Sequence, residues 1–287
     1  MKVFVFNERK LGLIPIIFII IGMIVPMLFL VFYASRDSGK SAEPLLYYII
    51  KEPYLSSFKN TLIISLKVSF WSMIISTFIT YSLTVLHNKT QSLILFAVIT
   101  SMWLSILVRS YAWILILQKN GLINSLISLV YTDYERVSLM YNQTSVIIGM
   151  VHILCPYIIL IQWTGIKDRI KSLVPVANTI GASSSFYFFS IFLPSTKKHL
   201  ALGGVLVFII SLGYFITPLL LGQGSGNSLM VAMLIEERIN TFANWKVGAL
   251  ISVNLLVVFM VVLGGILTVP VFNKLLLGYL NEKSDDL

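Results

Sequence analysis

The chain has 287 residues, of which 57% are hydrophobic and only 11% are charged, whereas soluble chains carry about a quarter charged residues. A soluble domain of this length could not hide so much apolar surface, so the composition excludes that class and indicates a polytopic membrane protein. The net charge of +9 does not indicate a nucleic-acid partner, because the basic residues mostly flank apolar runs, as membrane topology requires.

Six apolar runs have about the 20 residues that a helix needs to cross a bilayer. The predicted spans are residues 11–33, 61–86, 92–117, 145–165, 200–221 and 247–271. The first run follows a basic N-terminal stretch, as in a secretory signal, but it exceeds the roughly 7–15 apolar residues of such a signal. We therefore predict an all-α polytopic membrane protein with six transmembrane helices, the first of which is not cleaved.

The orientation of the spans is predicted from a basic segment between the fourth and fifth runs. Five cations flank it, namely Lys167, Arg169, Lys171, Lys197 and Lys198. Because such loops stay in the cytoplasm, we predict that residues 166–199 form a cytoplasmic loop and that both termini are cytoplasmic. Residues 1–60 then hold an N-terminal tail, the first span and an outer loop, residues 61–271 hold a core of five helices, and residues 272–287 form a cytoplasmic tail.

This loop contains an unusual stretch, IGASSSFYFFSIFLPSTKK, at residues 180–198. Gly181 and Ala182 have so little side-chain bulk that another backbone could approach closely there. The aromatic residues 186–189 follow, and exposed aromatic side chains in a water-facing loop need a partner. The stretch therefore indicates a docking element; the alternative is that its aromatic rings lie in the bilayer interface.

The spacing of this loop resembles the signature of binding-protein-dependent ABC importer permeases, which is Glu-Ala-Ala, three residues, Gly, nine residues, Ile, one residue and Leu-Pro. The second half of the signature is intact, whereas Pro175 and Val176 replace the usual Glu and the first Ala. In that family the loop forms coupling helices that sit in a groove of the cytoplasmic ATPase. The resemblance assigns ATPase coupling to Ala177, Gly181, Ala182, Phe186, Ile191, Leu193 and Pro194.

Three further stretches look like the spermidine/putrescine branch of the same family. They are VRSYAWILILQKNGLIN at residues 108–124, YNQTSVIIGMVHILCPYIILIQWTGIK at 141–167, and GYFITPLLLG at 213–222. The resemblance implies a permease in the bacterial inner membrane that forms the pathway for a small solute, with a polyamine favoured. It also implies three kinds of partner: a cytoplasmic ABC ATPase dimer, a second permease that is a paralogue, and a soluble solute-binding protein.

The sequence agrees with a transport subunit that is not an enzyme. It contains no G-x-x-x-x-G-K-S/T phosphate-binding motif, so ATP would act only through the separate ATPase. We expect no directly bound cofactor and no metal, because the single cysteine, Cys155, lies in an apolar run without metal-ligand spacing.

Four residues are candidates for the translocation pathway. Arg109 lies within the third predicted span, where a charge is costly and usually faces protein or a water-filled cavity; the alternative is an arginine that extends to the interface. Tyr111 and Trp113 beside it suit a cavity or an interfacial belt. Glu236 could attract a cationic solute, or it could belong to a solvated loop. None of the 12 acidic residues lies at the centre of a predicted span.

Two other classes of protein remain as alternatives. An ATP-independent secondary transporter or channel usually has more spans, internal repeats and mid-membrane charges. A membrane-embedded enzyme would need a convergent set of histidines, acids or cysteines, whereas the three histidines are scattered along the chain. The spacing of the cytoplasmic loop favours the importer.

Overall fold

The computed structural model describes residues 8–35, 47–130, 136–179, 181–223 and 226–268, and every regular element among them is helical. Turns of π-helix cover Tyr187–Phe192 and Glu237–Thr241, and Gly226–Ser228 forms a short 3-10 turn. The predicted all-α fold is confirmed. The α-helices are α1 (Glu8–Ser35), α2 (Tyr47–Ile50), α3 (Tyr54–Val85), α4 (Asn88–Trp103), α5 (Ile106–Leu117), α6 (Leu122–Val130), α7 (Gln143–Thr179), α8 (Ser184–Phe186), α9 (Leu193–Leu212), α10 (Ile216–Gly222), α11 (Val231–Glu236) and α12 (Trp245–Thr268).

Six segments are long and apolar enough to cross a membrane, as predicted. They are Phe18–Ser35, Tyr54–Val85, Ile106–Val130, Gln143–Ile170, Ser184–Leu212 and Trp245–Gly265. We call one end of the bundle the Gln143 end, where Lys67 Nζ donates a hydrogen bond to Gln143 Oε1 at 2.6 Å. The opposite end, where α7 ends and α8 begins, is the Gly181 end. Which end faces the cytoplasm stays a prediction.

The centre of the bundle is built by α3, α7 and α9. A stripe of small hydroxyl side chains on α3 recurs every three or four residues, so it occupies one helix face, and small residues let membrane helices pack closely. Ser69 Oγ donates to the Gly204 carbonyl of α9 at 2.7 Å, and Thr80 Oγ1 donates to Gln162 Oε1 of α7 at 3.1 Å. The buried stripe consists of Ser57, Thr61, Ser65, Ser69, Ser72, Ser76, Thr80 and Thr84.

Glycines mark two close helix crossings. A Cβ atom at Gly203 of α9 would lie 3.3 Å from the Cα atom of Ile158 in α7. A Cβ atom at Gly149 of α7 would collide with the side chains of Leu221 and Thr217 in α10. These helices therefore approach each other at a distance that a larger residue would not allow.

Helix α1 is attached to the bundle only near its C-terminal end. Leu30, Val31 and Ala34 join a cluster that contains Ala249 and Leu250 of α12. The described side chains from residue 18 to residue 29 are exposed or half-buried on every side of the helix. Among the described side chains of α1, those buried against other helices therefore lie near its C-terminal end.

The third predicted span, residues 92–117, is not one helix. Helix α4 ends at Trp103, the backbone is extended at Leu104 (φ −68°, ψ 138°) and Ser105 (φ −55°, ψ 140°), and α5 follows. The fifth predicted span, residues 200–221, is also interrupted, because α9 ends at Leu212 and α10 begins at Ile216. Apolar residues continue through both breaks. A prediction from hydropathy alone therefore treats the two helices on either side of each break as one span.

Most of the predicted loop 166–199 is helical. Helix α7 runs on to Thr179, and the helical chain resumes at Ser184, so residues 181–183 are a short non-helical connection. The stretch 180–198 is therefore not a segment separate from the spans, because most of it continues into the fifth span. Lys and Arg are good helix formers, so a run of basic residues ends the membrane-embedded part of a helix without ending the helix.

Candidate functional site

Gly181 has the left-handed conformation that completes the C-terminal end of α7. Its φ is +65°, which glycine adopts without the strain of other residues. The next amide, Ala182 N–H, donates a hydrogen bond to the Ala177 carbonyl at 3.0 Å, and this six-to-one bond is characteristic of a Schellman helix end. A Cβ atom at Gly181 would meet nothing within 4 Å. The glycine thus suits the turn, and no backbone among the described residues approaches the position of its absent Cβ atom.

Ser183 starts the next helix directly after this turn. Its Oγ atom accepts a hydrogen bond from the Phe186 amide at 3.2 Å, as an N-cap serine does. A helix end and a helix start therefore follow each other within a few residues. This arrangement holds the surface around Gly181 in a defined shape.

The aromatic run behind Ser183 is divided between the interior and the surface. The rings of Phe188 and Phe192 lie 5.0 Å and 5.4 Å from the ring of Tyr81 in α3. Phe192 is fully buried, whereas Phe186 is 51% exposed and Phe189 is 66% exposed. Only part of the run is therefore available to a partner, and the rest fastens the segment to α3.

The structure brings the predicted coupling residues to one place, which we call the coupling segment (residues 177–194). Ala177, Ala182 and Ile191 pack into a cluster with Ile166 and Ile170 of α7. The remaining members lie toward the surface or at the start of α9, where Leu193 is half-buried and Pro194 is exposed in the first turn; they are Gly181, Phe186, Leu193 and Pro194. Their role in coupling stays a prediction.

A second region lies where the two interrupted helices meet. Ser110 Oγ in α5 and Thr217 Oγ1 in α10 are 2.9 Å apart and both residues are fully buried, so their hydroxyl groups share a hydrogen bond. Each residue follows closely on a helix break, at 104–105 and at 213–215. We call this region the helix-break centre. Interrupted membrane helices commonly build the solute sites of transporters.

Arg109 lies in the helix-break centre with its side chain buried. It is 8% exposed, and its Nε atom has no hydrogen-bond partner among the residues that the structure describes. The side chain is therefore largely buried in the bundle. Its role in a pathway and the alternative of an arginine that extends to the interface both stay predictions.

A cavity of about 1220 Å³ opens beside this centre, between α3, α4, α5 and α7. Its wall is mostly apolar and includes the aromatic rings of Phe70, Trp71 and Trp113. The ring of Trp113 packs edge-on against His152 with centroids 5.6 Å apart, and both residues line the cavity. His152 and Trp113 therefore form one part of the cavity wall, where α7 and α5 meet.

The four pathway candidates do not form one group. Trp113 is four residues from Arg109 and shares its helix face, whereas Tyr111 is 54% exposed on another side of α5. Glu236 is half-buried in α11, and its Oε1 atom accepts a hydrogen bond from Asn240 at 3.3 Å. The structure gives no contact between Glu236 and the helix-break centre. Their roles in a pathway stay predictions.

Within the described residues, no group of three or more His, Cys, Asp or Glu side chains could hold a metal ion. Cys155 is buried, and it packs with Leu83 and Ile159.

The comparison with curated proteins agrees with the motifs. The spermidine/putrescine permease PotB of Haemophilus influenzae is 28% identical over 177 residues, which is 62% of this chain and 61% of that protein. PotB of Escherichia coli K12 is 28% identical over 173 residues, which is 60% of this chain and 62% of the relative. The match thus spans about three fifths of the length of these relatives. No family model matches the chain.

A solved structure has the same fold over nearly the whole chain. It is a chain of a bacterial alginate ABC transporter in complex with an alginate-bound periplasmic protein, with a TM-score of 0.73 over 92% of this chain and 94% of that chain, at 17% identity. The chain has the fold of an ABC transporter subunit. The resemblance to ABC importer permeases is therefore confirmed, and the six apolar helices make this a multi-pass inner membrane protein.

Proposed function

We propose that this chain is a permease subunit of an ATP-driven ABC importer. The observation that carries the proposal is the coupling segment: a Schellman turn at Gly181 and a capped helix start hold Phe186 and Phe189 at the surface. Exposed aromatic side chains at a rigid surface suit a protein partner. The segment follows the family signature in a chain that has the fold of an ABC transporter subunit.

The partners of the proposed importer follow from what this chain lacks. It contains no phosphate-binding motif for ATP, so a cytoplasmic ABC ATPase dimer would hydrolyse ATP and this chain would not act as an enzyme. A second permease, most simply a paralogue, would form the other wall of the pathway. A soluble binding protein would deliver the solute, as the periplasmic protein in the alginate transporter complex suggests by analogy.

A polyamine such as spermidine or putrescine is the solute that we favour. The similarity to PotB supports this choice. The cavity also supports it, because Phe70, Trp71 and Trp113 offer ring faces, and aromatic faces attract ammonium groups.

The proposed mechanism is alternating access. A loaded binding protein docks at the outer side, and ATP brings the two ATPase subunits together. Their movement displaces the coupling segment. Helix α7 runs without interruption for 37 residues from Gln143 to Thr179, so displacement of its Gly181 end would move the part of the helix that carries His152. The cavity would then open first outward and then inward.

The test is a pull-down in mild detergent from cells that express this chain with its genomic neighbours. We expect an ATPase and a second permease to be recovered, and Gly181→Arg to lose the ATPase while the variant still inserts into the membrane. Gly181→Asn is the matched control, because asparagine tolerates the left-handed conformation and adds little bulk. Recovery of a stable chain without any ATPase would contradict the importer and favour an ATP-independent transporter or channel.

A further inference from the structure

A charged residue lies at one end of the cavity. Among the described residues that line the cavity, Lys67 is the only lysine, arginine, aspartate or glutamate. On α3 the lining begins at Lys67 and ends at Ser82, so the cavity extends about 22 Å along this helix. The ammonium group, which contacts Gln143, therefore lies at the Gln143 end of a long apolar cavity.

Hydrogen bonds hold this ammonium group in place. Lys67 Nζ donates to Gln143 Oε1 at 2.6 Å, and a bond from a charged donor is short and strong. Gln143 Nε2 in turn donates to the Asn227 carbonyl at 3.1 Å. The turn that receives this bond is itself tied to α3, because Asn60 Nδ2 donates to the Gly226 carbonyl at 3.0 Å. The position of the charge is thus set by α3, α7 and this turn together.

We propose that Lys67 is a barrier to inorganic cations at the Gln143 end of the cavity, and that Gln143 is the residue that positions it. This inference rests on the proposed function, because it treats the cavity as part of the solute pathway. A positive charge about 4 Å away lowers the entry of a monovalent cation about fivefold in water, and by more beside an apolar wall. Among the described lining residues no carboxylate offsets this repulsion.

Inorganic cations are the ions that such a pathway must exclude. An opening that admits an organic solute is wide enough for potassium or sodium ions, so its width alone does not keep them out, whereas a positive charge does. A polyamine meets the same repulsion. Its methylene groups, however, gain from contact with the apolar wall, and its ammonium groups are attracted by the rings of Phe70 and Trp71, one turn further along α3. The barrier therefore favours an organic cation over an inorganic one.

The test uses the purified importer in proteoliposomes with ATP and measures the entry of radioactive rubidium, a tracer for potassium. Lys67→Gln should raise rubidium entry at least about fivefold, because it removes the charge but keeps a donor for Gln143. Lys67→Arg keeps the charge and should stay within about twofold of the unchanged protein. Lys59→Gln is the matched control, since Lys59 is exposed on the same helix outside the cavity wall; its effect should also be less than about twofold.

A further variant separates the charge of Lys67 from its hydrogen bond. Gln143→Glu can still accept the bond and places a negative charge beside the ammonium group, so it should raise rubidium entry as Lys67→Gln does. A purely structural role of the bond predicts no increase, because a bond to a carboxylate is stronger. Rubidium entry that is unchanged in Lys67→Gln, or raised there but not in Gln143→Glu, would overturn the proposal. An ATPase and a second permease recovered with these variants would still support the proposed function.

Discussion

The coupling segment and the helix-break centre differ in how many of their polar and charged groups have partners among the described residues of this chain. In the coupling segment the helix end is closed by its own backbone, the helix start is capped by Ser183, and Phe192 is buried against Tyr81. In the helix-break centre the buried Arg109 has no anion among the described residues. The described residues thus complete the polar groups of the first region, whereas the second keeps a buried charged side chain that none of them pairs.

The difference also appears in the kind of side chain that each region uses. The coupling segment relies on the burial of aromatic rings, which meet edge to face at Tyr81. The helix-break centre relies on the Ser110–Thr217 hydrogen bond, which depends on distance and angle.

The largest expected effect on stability is from Phe192→Ala. Phe192 is completely buried among the rings of Tyr81 and Phe188, so truncation leaves a cavity that costs about 3–5 kcal/mol of unfolding free energy. Thermal unfolding of the detergent-solubilised protein measures this loss of stability. Phe189→Ala is the matched control, because this ring is 66% exposed and its loss should cost less than about 0.5 kcal/mol. Equal losses in both variants would contradict the division of the aromatic run.

A smaller effect is expected at the crossing of α7 and α9, which lies between the two regions. Gly203→Ala should destabilise the protein by about 1–3 kcal/mol, because its Cβ atom would press against the backbone of Ile158. Gly264→Ala in α12 is the control, since a Cβ atom there meets nothing within 4 Å, and alanine is the better helix former. Unfolding of both variants in the same detergent gives the comparison, and a stabilised Gly203→Ala would refute the close crossing.

The smallest effect is expected at the hydrogen bond of the helix-break centre. In a double-mutant cycle, Ser110→Ala and Thr217→Val should show a coupling of about 0.6 kcal/mol, the typical value between membrane helices. The cycle is measured by unfolding, and solute uptake is measured in parallel. Strictly additive losses would show that the two hydroxyl groups do not stabilise each other.

The helical class and the number of spans are predictable from sequence, because each span needs a long apolar run. The break between α4 and α5 is not predictable in the same way. Trp103, Leu104 and Ser105 include neither glycine nor proline, so no local residue signals the change to extended backbone. The hydrogen bond of Ser110 to Thr217 and the packing of α5 on α10 are tertiary contacts, and these override the apolar pattern.

The site was partly visible in the sequence. The spacing of Gly181, Ile191 and Pro194 locates the coupling segment, yet the physical reason for the glycine is its positive φ, which requires the structure. The hydroxyl stripe on α3 could have been found, since Ser57, Thr61, Ser65 and Ser69 recur every four residues. The position of His152 beside Trp113 could not, because the two residues are far apart in the sequence and only the packing of α5 on α7 brings their rings together.

The attachment of α1 has a consequence for the order of biosynthesis. Its contact residues Leu30, Val31 and Ala34 pack against α12, which the ribosome makes roughly 200 residues later, a delay on the order of ten seconds at about 5–20 residues per second. During that interval the contacts of α1 with α12 cannot form. The almost uniformly apolar surface of α1 is compatible with the lipid before α12 is made. Insertion of α12 then brings the first and last spans into contact.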